Sequence, residues 1–406
     1  MSVNFQRRVW PNGPIALVLA NPTTDVVAGR LFVVGGSRCD GERPGIGQLL
    51  AAVLTRGTTT ANAREIADAV ESLGAGLGTE VQPDYFLVRF KGVSADWPAL
   101  LRLAGDLVQW PTFPATEVEL ERRLLLEAVQ QRQTQPFAAA WDALRPHLYG
   151  AHPYGQPELG TAEAIAALSR AEVQDHYRRW FQPDRLIVAL AGRLEPEAVW
   201  AQIDQQFGDW RGTAPPFPLP ARRFRPADAW VDHGHPQNWV LWGWPAPAIA
   251  QADAIPFHLL SVGLGDGPSS RLFVELREKR GLAYDVAATF PWRAAGSHLL
   301  AYASTAPADT ETTSTVLAQE IERWQTEPLP EWEWQMLQSK VLGQHALRCQ
   351  TNGQWAQALG WREAMGLPLP WDRQFAQAIQ EATPQDVQRV AQTYLRQGSR
   401  AIAGSR

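Results

Sequence analysis

Few side chains in this sequence stand at spacings that chemistry could use. His233 and His235 flank Gly234 and offer two imidazoles, but two ligands leave a tetrahedral metal site half built. His152 opens a His-Pro-Tyr-Gly run, His152 to Gly155, where a structural turn residue is expected rather than a general base. Gly263, Gly265 and Gly267 precede Ser269, yet their order matches neither nucleotide-binding fingerprint. That run is read as a turn where backbones pass closely. Arg277 and Tyr284 lie seven positions apart. Spacing alone favours a plain account, with Arg277 on a charged helix face beside Glu275, Glu278 and Lys279, and Tyr284 as strand material.

The elements that must position these groups follow from length and pattern. A chain of 406 residues exceeds the roughly 250 to 300 that one core supports, so two domains are expected. A hydrophobic share of 45% with 19% charged residues excludes a disordered or fibrous chain. The net charge of -5 supplies no basic footprint for a phosphate backbone, which sets nucleic acid aside as a partner. Cys39 and Cys349 are too few and too far apart for a disulfide framework, and are expected to be reduced. No run approaches the roughly 18 to 20 apolar residues of a membrane helix. Arg7 and Arg8 lead into Pro11, Asn12 and Gly13 rather than an apolar stretch, so a cytoplasmic location is expected, with the periplasm as the alternative if an export signal has been trimmed.

The five prolines Pro215, Pro216, Pro218, Pro220 and Pro226 mark 212–227 as a linker between domains 1–211 and 228–406. A related pattern occurs on either side of it. Ser169 with Glu172, and Thr383 with Asp386, each begin a capped helix, hydroxyl first and acid three residues on. Val173, Tyr177, Trp180 and Phe181 then correspond to Val387, Ala391, Tyr394 and Leu395, all 214 positions later. Each helix leads into a short apolar strand, Leu186 to Gly192 and Ala401 to Gly404. Duplication explains this economically. Strand patterns at Val26 to Gly35, Tyr85 to Phe90 and Asn238 to Trp242 alternate with helical ones at Gly47 to Leu54, Ala63 to Leu73, Thr116 to Gln133 and Pro136 to Leu148. The expected class is α+β, with a helical layer over a sheet in each half.

Five segments carry a resemblance to the pitrilysin-like, or M16, zinc peptidases. They are Gly36 to Arg38 with Gly45 to Thr58, Glu121 to Val129, His152 to Gly155 with Gly160 and Thr161, Ser269 to Phe273, and Leu276 to Tyr284. The resemblance implies two homologous domains, each a mainly antiparallel sheet covered by helices, the LuxS/MPP-like metallohydrolase fold. Active members carry His-x-x-Glu-His, in which two histidines hold zinc and the glutamate activates its water. Positions i, i+3 and i+4 share one helical face, so the three groups converge. Here they read Gln48, Ala51 and Ala52. The family's third ligand aligns with Ala128, and Glu127 beside it points about 100° away on a helix. Neither alanine has a donor atom, and an amide is a poor zinc ligand.

The resemblance also makes Arg277 and Tyr284 the family's pair that faces a zinc site, Arg277 holding substrate and Tyr284 stabilising the oxyanion. An erased metal site beside a kept pair is the pattern of two-chain M16B-type peptidases related to mitochondrial processing peptidase. The expectation is therefore a non-catalytic subunit without a cofactor of its own, partnered by a homologous His-x-x-Glu-His chain that holds zinc and acting on peptides. The alternative is a structural or peptide-binding subunit with no part in proteolysis.

Overall fold

In a computed structural model, which describes residues 5–217, 219–368 and 370–406, the chain divides into two compact units. Neither is one continuous stretch. The first takes 1–129, 157–218 and 348–369; the second takes 130–156, 219–347 and 370–406.

The first unit is built on a sheet of six strands, β1 Gln6–Val9, β2 Ile15–Ala20, β3 Val26–Val34, β4 Gly76–Val81, β5 Tyr85–Val93 and β6 Leu186–Gly192. Their order is β1-β2-β6-β3-β5-β4, and only β2 and β6 run parallel. Its helices are α1 Ile46–Val53, α2 Ala63–Ser72, α3 Trp97–Gln109, most of α4 Ala115–Gln133, and, past α5 Pro136–Tyr149, α6 Ala162–Ala167, α7 Arg170–Trp180 and α8 Pro196–Phe207. Alternation along β5 explains the layering. Phe86, Val88 and Phe90 join Leu31 and Val33 of β3 in a core with Leu49 and Leu50 of α1 and Leu100 and Leu101 of α3.

The second unit has five strands, β7 Asp228–Asp232, β8 Asn238–Ala246, β9 Val286–Thr289, β10 Ser297–Thr305 and β11 Ser399–Gly404, in the order β7-β11-β8-β10-β9. Its helices are α5 and, from the later chain, α9 Ala254–Gly265, α10 Thr310–Thr326, α11 Glu331–Leu347, α13 Trp371–Glu381 and α14 Pro384–Tyr394. The remaining helix, α12 Asn352–Ala364, belongs to the first unit. Here β7 and β11 form the parallel pair. Without β1, the first sheet reads β2-β6-β3-β5-β4, the same order with its parallel pair in the same place. The two sheets thus repeat one topology, which is what duplication produces, and the mainly antiparallel α+β class expected from sequence is the one observed.

Each sheet has its second face covered by a helix from a distant part of the chain. In the first unit α12 lies on β3 and β6, close enough that a Cβ on Gly360 would sit 2.2 Å from the Phe32 ring. In the second, α5 packs on β8 and β11, where Leu144 and Leu148 meet Leu241, Ala401 and Ala403. The boundaries expected from sequence assign α5 to 1–211 and α12 to 228–406, following chain order, whereas sheet coverage follows three-dimensional packing. Among its described residues, the stretch 212–227 forms no helix or strand; Pro218 lies outside them.

Candidate functional site

The helix that would carry a metal is α1, and its anchoring is unusual. Asp40 is buried and accepts hydrogen bonds from the amides of Gly45 (3.0 Å) and Gly47 (3.2 Å), capping the helix from a preceding turn. Gly45 is left-handed at φ 99°, and a side chain on Gly47 would run into Asp40 at 2.6 Å. Burial raises the Asp40 carboxyl to about 8 and lowers the neighbouring His176 imidazole to about 3. His176 Nε2 lies 4.0 Å from Asp40 Oδ1. A neutral imidazole there makes a packed polar contact, not an ion pair.

On α1 itself, Ala51 is 3% exposed and belongs to the core, while Gln48 and Ala52 are half-buried. Gln48 donates its side-chain amide to the Glu158 carbonyl at 3.1 Å. Ala128 on α4 is half-buried, and Glu127 beside it is exposed. Among the described residues, no group of three or more His, Cys, Asp or Glu side chains is placed to hold a metal ion. A contact not foreseen from sequence links the two helices' surroundings: Arg56, just after α1, donates from Nε to Glu121 of α4 at 2.7 Å. The Glu121 carboxylate is buried and so needs that cation.

The second candidate region is built differently. Residues Phe273–Lys279 form a π-helical turn, a wider coil than the charged α-helical face expected, and Gly281, left-handed at φ 64°, reverses the chain behind it. The reversal lays Tyr284 over Arg277. The Arg277 guanidinium stands 4.6 Å from the Tyr284 ring centre and 4.9 Å from that of Phe273, and donates to the Tyr284 carbonyl at 2.8 Å. Glu275 is occupied by Lys279 and Arg280, which leaves Arg277 to the aromatic pair. Tyr284 is 74% exposed, just ahead of β9, and is not part of a strand. Thus Arg277 and Tyr284 are brought into contact, and Phe273 completes the stack. Sequence reading did not single out Phe273, although its i, i+4 spacing to Arg277 already puts the two on one helical face.

The remaining sequence candidates have structural occupations. His152 is buried and its Nδ1 accepts from the Tyr154 amide, capping the short turn Pro153–Gly155. His233 and His235 place ring nitrogens near the carbonyls of Gln133 and Gln237. The glycine run is corrected: Gly263 and Gly265 lie inside α9, not in a turn, and only Gly267 is left-handed. Close passage is nonetheless the reason for glycine, since a Cβ on Gly265 would stand 2.0 Å from the Ala288 nitrogen. Neither cysteine forms a disulfide, and burial raises the Cys39 thiol to about 11.

The two units repeat one α+β topology, and among the described residues no cluster is placed to hold a metal ion. Comparison with known proteins gives the family. Residues 16–162 match the family described as insulinase (peptidase family M16), and residues 167–341 match the peptidase M16 inactive domain. The chain belongs to peptidase family M16. It is 27% identical over 400 residues to an uncharacterized zinc protease of Mycobacterium leprae, covering 97% of this chain and 90% of the relative. It is 25% identical over 283 residues to one of Bacillus subtilis, covering 70% and 69%. Its fold is that of a peptidase M16 inactive domain protein from Pseudomonas fluorescens, with a TM-score of 0.94, 22% identity, and coverage of 99% and 98%. A protease from Helicobacter pylori is similar at a TM-score of 0.90, with 19% identity and coverage of 98% and 99%.

Proposed function

We propose that this chain is the non-catalytic subunit of a two-chain M16 zinc peptidase. A homologous chain bearing His-x-x-Glu-His supplies zinc and the activated water, and this chain supplies Arg277 and Tyr284. The observation that carries the reading is the contrast between alanines at the ligand positions and an exposed Tyr284 stacked on Arg277. Stacking orients the guanidinium, so its unused N–H donors are set to hold a peptide carbonyl or carboxylate at little further entropic cost. The Tyr284 hydroxyl would donate to the developing oxyanion at the scissile carbonyl, and the zinc held by the other chain would supply an activated water. Gln48, Ala51, Ala52 and Ala128 are the vestige of this chain's own metal site.

The reading takes the chain to work in the cytoplasm, with the periplasm as the alternative; no described helix is long and apolar enough to cross a membrane. Its test is sedimentation and metal analysis of this chain alone, of the most similar His-x-x-Glu-His chain alone, and of their mixture. The expected result is a one-to-one complex with one zinc per pair, none of it held by this chain alone. Stoichiometric zinc in the isolated chain, or no complex at micromolar concentrations, contradicts it.

A further inference from the structure

The first unit holds a groove of about 770 Å³ that the divided peptidase site does not use. That volume falls in the range of roughly 300 to 1,000 Å³ typical of ligand sites. It lies on the sheet face that carries α12. The helix crosses β3 and β6, with Gly353 and Gly360 allowing its approach to Arg30 and Phe32, and leaves the outward side chains of β5 and β4 beside it uncovered.

Four cations line this groove, Arg30, Arg89, Lys91 and Arg348, against one carboxylate, Glu80. In a chain of net charge -5 that is a local inversion of sign. Arg30 and Arg89 are direct cross-strand partners in the β3–β5 register. Like charges facing each other on neighbouring strands are destabilising unless a counter-charge joins them. Glu80 supplies only a loose one, 3.8 Å from Arg89, and no carboxylate in the lining faces Lys91 or Arg348. Opposite Lys91 and Arg89 the edge strand presents Gly76 and Gly78, which carry no side chains; the Arg89 side chain lies close over Gly78, and nothing stands within 4 Å of a Cβ on Gly76. Arg348 is oriented by stacking on Trp361 at 5.1 Å. Gln350 and Gln357 bring amides to the same groove, suited to a peptide backbone.

We propose that this groove binds an extended peptide segment bearing carboxylates at alternate positions. Arg89 and Lys91 are two residues apart on one strand, so they share one face and their backbone positions are roughly 7 Å apart, the repeat of alternate side chains on an extended ligand. The Arg30–Arg89 pair, whose only lining carboxylate is the loosely paired Glu80, then gains a closer anion, and the glutamine amides hold the backbone. The proposal rests on the peptide-handling reading above and narrows it to acidic segments of the substrate.

The test is fluorescence anisotropy on the isolated full chain with a labelled peptide carrying glutamate at every second position, its glutamine counterpart and its lysine counterpart. Binding of the glutamate peptide should be about tenfold or more tighter than that of the glutamine one, and should weaken with salt. The double variant Arg89→Gln with Lys91→Gln, at exposed strand positions, should abolish the difference, while Arg64→Gln with Arg178→Gln outside the groove should preserve it. Equal binding of the glutamate and glutamine peptides overturns the proposal, as does a preference that survives the groove variant. So does displacement of the peptide by an oligonucleotide of matching length at lower concentration. Because the assay needs no second chain, its failure is separable from that of the divided site. Cleavage by the pair without acidic preference sinks only the groove, whereas acidic binding without any effect on cleavage sinks only the division.

Discussion

Helix α1 and the turn Phe273–Lys279 occupy opposite ends of a range. In α1 the positions aligned with the metal ligands are committed to the fold: Ala51 is core, half-buried Gln48 donates to a backbone carbonyl, and the helix start is held by Asp40. In the second region the reactive groups face outward, Tyr284 at 74% exposure, and their contacts orient Arg277 instead of burying it. The two regions differ in how far their side chains are committed to packing. Under the proposed division of labour, the turn keeps its pair exposed for substrate, while the aligned positions of α1 have passed to packing.

Four perturbations bear on that contrast. The largest effect is expected from Ala51→Glu, which places a carboxylate where the side chain is 3% exposed. Unfolding in urea should show a loss of roughly 2–4 kcal/mol. A neutral result would mean that this face of α1 is not core and the comparison fails.

Next comes pH. The Asp40 carboxyl, raised from 3.8 to about 8, keeps in the folded state a proton that the unfolded chain releases, so it lowers stability as pH climbs from about 4 to 8. His176, lowered from 6.5 to about 3, does the opposite between about 3 and 6.5. The two oppose each other up to pH 6.5, and above it only Asp40 acts. Stability should therefore fall by about 2 kcal/mol between pH 6.5 and 8, and Asp40→Asn should flatten that slope. A slope unchanged by the substitution would remove Asp40 from the account.

Smaller still is Phe273→Ala. It strips one side of the Arg277 stack, worth about 0.5–1 kcal/mol, and should reduce cleavage by a reconstituted pair about two- to fivefold. The smallest stability change belongs to Tyr284→Phe, within about 0.5 kcal/mol because the ring is exposed, though cleavage should fall with loss of the hydroxyl. A large stability loss there would make Tyr284 a structural residue after all.

Features written in neighbouring residues were legible in the sequence, and features made by distant ones were not. The capping boxes at Ser169 with Glu172 and Thr383 with Asp386 formed as spaced, because each needs only one turn of chain. Strand β6 matches its apolar run from end to end, since full burial leaves an unbroken hydrophobic stretch. The cap that Asp40 provides escaped notice because it reaches across a loop to Gly45 and Gly47, outside the usual capping spacing. The assignment of α12 to the first sheet escaped too, since its apolar positions show that it is covered without showing by what. Gly353 and Gly360 are in hindsight the only local sign of that close approach. As for the site, the contact of Arg277 with Tyr284 needed the chain reversal at Gly281, which periodicity does not announce, whereas the i, i+4 spacing of Phe273 and Arg277 was legible and went unused.

The most direct test of the divided site is cleavage of an unstructured fluorogenic peptide by the His-x-x-Glu-His chain, with this chain absent, present as wild type, or present as Arg277→Ala. Cleavage should require the wild-type chain and fall about tenfold to a hundredfold with Arg277→Ala, the loss of one charged hydrogen bond worth roughly 1.5–3 kcal/mol. Full activity without this chain, or with the alanine variant in its place, would contradict the account and leave a structural or peptide-binding subunit.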